Sequence, residues 1–112
     1  MTNKAREDAG LSGNLRQMIA VLESERQSLA DLDADGITEA ALSKESLCDT
    51  LAGVAPDDLD PEARALAETA RHLNAVNRRV RNLLAANVAR RLEALGVSTD
   101  TYALPHLSLI HI

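Results

Sequence analysis

The strongest pattern in the sequence is an apolar stripe through residues 63–95, a stretch without proline or glycine. Its members recur in steps of three and four: Leu66, Ala70, Leu73, Val76, Val80, Leu83, Leu84, Val88, Leu92 and Leu95. This spacing places side chains on one side of an α-helix. Asp60 and Pro61 favour the start of the helix and Gly96 favours its end. The helix would be roughly 50 Å long at a 1.5 Å rise per residue, which indicates surplus surface for contact.

A second long helix is predicted near the N-terminus, from about Leu11–Asn14 to Leu32. Its apolar positions are Leu15, Met18, Ile19, Leu22, Leu29 and Leu32. Several of them repeat every seven residues, as in a coiled-coil seam, and Glu25 and Arg26 interrupt the middle of the pattern. Residues 1–10 are polar and are expected to be frayed. Aspartates and a glycine after residue 30 favour the end of the helix.

A shorter helix is predicted between these two, with Asp35 or Thr38 as its N-cap. Its inner face is expected to comprise Ile37, Ala41, Lys44, Leu47, Cys48 and Leu51. Gly53 and Pro56 favour its end. The three segments together predict an all-α fold, an elongated antiparallel helical hairpin or three-helix bundle in which a short helix joins two long ones. We expect a single domain over residues 1–102.

Charge is divided unevenly along a chain of net charge −5. Residues 1–60 carry 13 acidic and 5 basic side chains, whereas residues 61–95 carry 7 arginines and 3 glutamates. Opposite signs favour packing of the acidic first part along the basic long helix, an effect that salt screens. The negative total argues against a general nucleic-acid binder. The single aromatic residue, Tyr102, leaves little for stacking on bases or for lining a pocket for a flat ligand.

The predicted long helix also carries four asparagines, Asn74, Asn77, Asn82 and Asn87. An asparagine in a buried seam fixes the register of paired helices at a cost in stability. A position on the flank, facing water, is the simpler interpretation for most of them. Five arginines of this helix most simply form a solvated face, with a basic groove for an acidic partner as the alternative: Arg78, Arg79, Arg81, Arg90 and Arg91.

No arrangement of residues in the sequence indicates catalysis or metal binding. The five glycines are scattered, so none forms a phosphate-binding loop, and no two histidines have the i, i+4 spacing of a zinc site on a helix. Cys48 is expected to be a small buried hydrophobe, and a lone cysteine fits a reducing compartment. No apolar run approaches the ~20 residues that cross a bilayer. We therefore expect a cytoplasmic protein that is not an enzyme, binds no cofactor, metal or nucleic acid, and does not insert into a membrane.

Short segments on the three predicted helices form an ordered pattern. Glu25 and Leu29 have an E-x-x-x-L spacing on the first helix, and the second contains Lys44-Glu45-Ser46-Leu47. The third reads L-N-x-x-N-x-x-x-x-x-L-L from Leu73 to Leu84, and Thr101-Tyr102 follows its end. In this order the segments resemble the FlgN family of flagellar export chaperones, over roughly residues 11–102.

The resemblance implies a fold and a set of partners. Family members are antiparallel helical hairpins or bundles of the cytoplasm that bind the disordered C-terminal part of hook–filament junction proteins. They deliver these clients to the type III export gate. On this chain the resemblance places client contacts late in the long helix and an export-gate contact at Tyr102. The implied partner-binding residues are Leu83, Leu84, Val88, Leu92, Leu95 and Tyr102.

Other interpretations stay open. The leucines and valines of the long helix also suit a core, and the protein would then be a structural coiled-coil adaptor or a homodimer without an unfolded client. An exposed patch at the end of the long helix favours the chaperone, whereas a patch buried against a second copy favours the dimer. Residues 103–112 are apolar, follow the last helix signal and resemble a translated sequencing adaptor. We expect this segment to be a non-native or disordered tail.

Overall fold

The computed structural model describes residues 3–97 and contains three α-helices and no strand within them. The helices are α1 (Asn3–Asp31), α2 (Ala34–Leu51) and α3 (Pro61–Ala94), with a 3₁₀ turn at Pro56–Asp58. The predicted all-α fold, with a shorter helix between two long ones, is confirmed.

The first helix begins well before the predicted start near Leu11–Asn14, since α1 already includes Asn3. The residues from Lys4 to Ala9 are mostly good helix formers and include no proline. Their polarity therefore belongs to a helix, and the expectation of a frayed segment over residues 1–10 is wrong for its described part. Gly10 and Gly13 lie inside α1, where glycine weakens a helix without breaking it.

A two-residue turn, Leu32 and Asp33, joins α1 to α2. The N–H of Leu32 bonds to the carbonyl of Leu29 at 3.2 Å, and the N–H of Asp33 bonds to the carbonyl of Ser28 at 2.9 Å. This is the Schellman pattern, whose turning residue has a left-handed backbone, and Leu32 has a φ of 55°. Leu32 is consequently exposed outside the helix, which corrects its predicted place on the apolar stripe of α1.

The N-cap of α2 is Asp33 rather than the predicted Asp35 or Thr38. The side chain of Asp33 accepts a hydrogen bond from the N–H of Gly36 at 3.1 Å. A capping residue stands before the helix in an extended conformation. Asp33 meets this condition, with φ −87° and ψ 96°, whereas Asp35 and Thr38 lie inside the helix.

The bounds of α3 agree with the signals in the sequence. Asp60 caps the helix by accepting a backbone N–H hydrogen bond at 2.7 Å, and Pro61 occupies the first turn. At the other end Gly96 has a φ of 78°, and the N–H of Val97 bonds to the carbonyl of Leu92 at 2.9 Å. A Schellman motif therefore stops α3 at a defined residue.

The central helix of the fold is α1, against which both other helices pack. The chain runs up along α1, down along α2 and up again along α3, so α1 and α3 are parallel. Their shared apolar core is Met18, Leu22, Leu47 and Ala70. Ala63 is also buried on α3, and small side chains at these positions let α3 approach α1 closely.

Cys48 is exposed, and its predicted burial is wrong. The buried residues of α2 are Ala40, Lys44 and Leu47, which follow one helical row. This row faces α1, because α2 packs mainly on α1 and makes little contact with α3 within residues 3–97. Cys48 falls beside the row and therefore remains in contact with solvent.

Candidate partner-binding surface

The third helix extends beyond the turn that joins α1 to α2. A hydrogen bond between Glu25 and Asn77 sets the register of the parallel helices α1 and α3. Counting along both helices from Asn77 and its two partners on α1, Glu25 and the Leu22 carbonyl, α1 ends level with roughly residues 83–86 of α3. Most of residues 84–95, a segment of about 18 Å, therefore extends beyond the end of α1, and we call this segment the overhang. The molecule is accordingly elongated, with dimensions of 65 × 22 × 21 Å.

Four apolar side chains form a stripe along the overhang: Leu84, Val88, Leu92 and Leu95. At ~100° per residue they fall within about 80° of one another around the helix axis. Ala70, Asn77 and Arg81, which are buried in the bundle, lie on the same side of α3. The stripe therefore continues the face that α3 turns towards α1, past the point where α1 ends.

The stripe is open to solvent in a single copy of the described chain. Val88 is 50% exposed and Leu95 is 77% exposed, whereas Leu84 and Leu92 are half-buried. Leu92 and Val97 occupy the two positions of the Schellman motif whose side chains commonly pack together. This motif accounts for the half-burial of Leu92, and it leaves Val88 and Leu95 as the most accessible side chains of the stripe.

Not all of the predicted partner-binding residues share this surface. Leu83 is 68% exposed, but it lies about 100° from Leu84 around the helix axis and so faces away from the stripe. The structure thus brings together four of the six residues. Tyr102 and the segment 103–112 lie outside the described residues.

Leu32 adds an exposed apolar side chain at the base of the overhang. It is 68% exposed at the turn between α1 and α2, level with about residue 84 of α3. Sequence reasoning missed this surface position because it counted Leu32 with the stripe of α1. The signal that was present is the flanking pair Asp31 and Asp33, which mark the end of a helix rather than its interior.

Charge is distributed unevenly around the stripe. Arg91 is exposed near the middle of the overhang and lies within about 20° of Leu84 around the helix axis, whereas Arg90 lies about 120° from Leu84 and faces away from the stripe. Three exposed aspartates lie at or next to the α1–α2 turn, at the base of the overhang: Asp31, Asp33 and Asp35. A ligand on the stripe would therefore meet positive charge along its middle and negative charge at its base.

A buried polar cluster lies between the three helices, just below the overhang. It comprises Glu25, Lys44, Asn74, Asn77 and Arg81. The two carboxylate oxygens of the fully buried Glu25 lie 2.9 Å and 3.1 Å from Lys44 Nζ, and one accepts a hydrogen bond from Asn77 Nδ2 at 2.9 Å. The Arg81 guanidinium lies 3.8 Å from the same carboxylate. One acidic side chain therefore faces two cations in the interior.

The cluster ties the three helices into one register. Asn77 Nδ2 also donates to the carbonyl of Leu22 on α1 at 2.8 Å, and Lys44 Nζ donates to Asn74 Oδ1 at 3.3 Å. A slip of either neighbour would leave buried polar groups without partners, at about 1–3 kcal/mol each. The cluster therefore fixes where α1 stops along α3, and with it the length of the overhang.

Two polar residues of α3 lie in the interior of the bundle. Asn77 is fully buried, which is the seam position that the sequence left open beside the flank, and Arg81 is 7% exposed, which corrects its predicted place on a solvated face. The exposed positions of Asn82 and Arg78 agree with the expectation. The available signal was Glu25, because a charged residue in an apolar seam requires a buried partner.

No helix within residues 3–97 is long and apolar enough to cross a membrane. In the same range, no group of three or more His, Cys, Asp or Glu side chains is placed to hold a metal ion. No protein-family model matches the sequence, and no curated protein or solved structure gives a match either. The surface is therefore interpreted from its own geometry.

Proposed function

We propose that this protein binds an unfolded or amphipathic segment of another protein on the stripe of the overhang. In the form implied by the resemblance to the FlgN family, it is a flagellar type III export chaperone. It would bind C-terminal segments of hook–filament junction proteins and deliver them to the export gate. The observation that carries the proposal is the exposure of Val88 and Leu95 on a helix that projects past its bundle. We propose further that the protein acts in the cytoplasm, by binding and not by catalysis.

The spacing of the stripe suits a helical client. Amphipathic helices dock on apolar surfaces through side chains three and four residues apart, which is the spacing of Leu84, Val88, Leu92 and Leu95. A subunit that awaits assembly exposes such a segment and is prone to associate with itself. Covering the segment on the overhang would prevent that association until the client is delivered.

The exposed area sets the expected affinity. Full burial of a Val or Leu side chain contributes about 1.5–3 kcal/mol, so the exposed parts of Val88 and Leu95 contribute roughly 3 kcal/mol together. The apolar side chains of the client contribute a similar amount, and ordering costs reduce the total. A Kd of 1 μM corresponds to about 8 kcal/mol. The stripe and the client side chains together supply about 6 kcal/mol before these costs, so the micromolar affinity that we expect requires further contacts of the client with α1 or α2.

Fluorescence anisotropy with a labelled C-terminal peptide of a hook–filament junction protein tests the proposal. We expect micromolar binding that Leu95→Asp weakens at least about tenfold, because an unpaired carboxylate would replace an apolar anchor. Leu42→Asp is the matched control, since Leu42 is 63% exposed on α2 and should affect neither affinity nor helicity. Far-UV circular dichroism verifies the fold of each variant. Absence of binding would remove the proposed client, and equal affinity for Leu95→Asp would exclude the stripe.

A structural homodimer is the second candidate, because the open stripe also suits pairing with a second copy. A dimer predicts a melting temperature that rises with protein concentration. Leu95→Asp would then abolish the concentration dependence. The chaperone proposal predicts a monomer in the absence of client, which sedimentation equilibrium measures directly.

A further inference from the structure

The shape of the overhang specifies its occupant further. Ala85, Val88, Leu92 and Leu95 follow a 3-4-3 spacing, which is that of a heptad seam. Below the overhang, the same side of α3 packs against α1, which is itself a helix. The surface above therefore fits another helix that lies along the extended track of α1. Its length is about three turns, because the overhang measures about 18 Å.

The charges beside the stripe indicate which charge the partner segment carries. Arg91 is exposed beside the stripe at mid-length of the overhang, while Asp31, Asp33 and Asp35 are exposed at its base. A carboxylate placed over Arg91 would be attracted, and carboxylates placed at the base would be repelled by the aspartates. A helix with acidic residues away from the α1–α2 turn matches both regions.

A second copy of this chain fits the same charges poorly. Antiparallel pairing of two overhangs along their full length brings the two Arg91 side chains within about one turn of each other, because Arg91 lies close to the midpoint of residues 84–95. Parallel pairing places two α1–α2 units side by side, and residues 1–60 carry 13 acidic against 5 basic side chains in each copy. Both arrangements bring like charges together, which disfavours association.

We propose that the partner segment is an amphipathic α-helix of about three turns, with a carboxylate over Arg91 and none at the end that meets the α1–α2 turn. This inference rests on the proposed function, because it names the chemistry of the segment that the stripe binds. Arg91 selects an acidic partner. The aspartates at the base fix which end of the partner helix lies at the α1–α2 turn.

Two synthetic peptides of about 18 residues test the inference, since shorter isolated helices are marginal in water. Both carry leucines in the spacing of the stripe, and they differ only in glutamate or lysine at the position over Arg91. Fluorescence anisotropy should give the glutamate peptide an affinity about threefold higher at 0.1 M salt. The two affinities should converge at 1 M salt, where the Debye length falls from about 10 Å to about 3 Å. The variant Arg91→Glu should invert the preference.

The matched control is Arg79→Glu, which makes the same change in net charge at an exposed residue of α3. Arg79 lies about 18 Å from Arg91 along the helix, which exceeds the Debye length of about 10 Å at 0.1 M salt. The preference for the glutamate peptide should therefore persist in this control. Loss of the preference in the control would overturn the role assigned to Arg91.

The outcomes separate this inference from the proposed function on which it rests. Equal affinities for the two peptides, both weakened by Leu95→Asp, would overturn the acidic partner and leave docking on the stripe intact. Binding that ignores Leu95→Asp, or no binding of either peptide, would overturn both. A dimer of the free protein that Leu95→Asp dissociates would assign the stripe to a second copy and would also overturn the inference.

Discussion

Replacement of Glu25 by alanine removes the carboxylate that faces Lys44 and Arg81 inside the bundle. Both cations would remain buried, since they are only 5% and 7% exposed. Removing one partner from a buried ion pair costs about 3–5 kcal/mol, because the remaining charge is left in the interior without compensation. Asn77 would also lose one acceptor, although it keeps its bond to the Leu22 carbonyl. We therefore expect Glu25→Ala to lower the free energy of unfolding by about 3–5 kcal/mol.

Urea unfolding followed by far-UV circular dichroism measures this loss. With a slope of about 1–3 kcal/mol per molar urea, the midpoint should fall by at least about 1 M. Glu23→Ala is the matched control, because Glu23 is exposed on the same helix and its replacement should cost less than about 0.5 kcal/mol. A loss below about 1 kcal/mol for Glu25→Ala, or equal losses for the two variants, would refute the reasoning.

Replacing all three charged residues of the cluster together tests whether the loss of stability comes from unpaired charge. Buried ion pairs replaced by apolar residues of similar volume often give proteins that are equally stable or more stable, by about 1–4 kcal/mol. The combination Glu25→Leu, Lys44→Met and Arg81→Met should therefore recover the stability that Glu25→Ala loses. If the combined variant is as unstable as Glu25→Ala, the cost does not arise from unpaired charge.

Three further predictions concern the backbone. Gly36→Ala should cost about 1–3 kcal/mol in urea unfolding, because an added Cβ would overlap Ser28 Oγ and lie 2.7 Å from Asp33 Oδ2. For Gly13→Ala, nothing apart from the backbone of its own helix lies within 4 Å of the added Cβ. The free energy of unfolding should therefore rise by about 0.5–1 kcal/mol, and a decrease would contradict this. Leu32→Gly should raise the melting temperature, since relief of about 1–2 kcal/mol of left-handed strain outweighs the added chain entropy of glycine. A lower melting temperature would show that the exposed Leu32 side chain contributes more than its backbone costs.

Most helix ends could be predicted, because capping acts between residues close together in the chain. Asp60, Pro61 and Gly96 each act within a single turn of α3, and their residue types indicate that role without knowledge of the fold. The end of α1 was harder to predict, because Leu32 adopts a left-handed backbone conformation that leucine disfavours. It does so because the Schellman hydrogen bonds and the Asp33 cap form together only when the chain reverses there.

The buried cluster could not be predicted from local pattern. Glu25 is separated from Lys44 by 19 residues and from Asn77 by 52 residues along the chain. Glu25 and Lys44 each fall on an apolar helical face in the sequence, but their burial becomes favourable only when they meet partners that the local pattern does not identify. Lys44 can be buried because its ammonium group donates hydrogen bonds to the Glu25 carboxylate and to Asn74.

The sequence indicates surplus apolar surface on the third helix, because its stripe is longer than that of the first. The length of the overhang depends on the register that Glu25 and Asn77 set, because α1 is nearly as long as α3. The separation of Leu83 from the stripe was available in advance, since neighbouring helical residues lie ~100° apart around the axis. The flanking aspartates indicated that α1 ends near Leu32, but the exposure of Leu32 depended on the turn geometry.

The reactivity of a cysteine placed on the stripe tests the central claim most directly. In a Cys48→Ser background, the Val88→Cys thiol should react with a maleimide at nearly the rate of Leu42→Cys, because the two positions are 50% and 63% exposed. Saturation with the client peptide should slow the reaction at position 88 at least about tenfold and leave position 42 unchanged. Slow reaction of Val88→Cys in the free protein, or an unchanged rate in the presence of bound peptide, would contradict an open stripe that receives the partner.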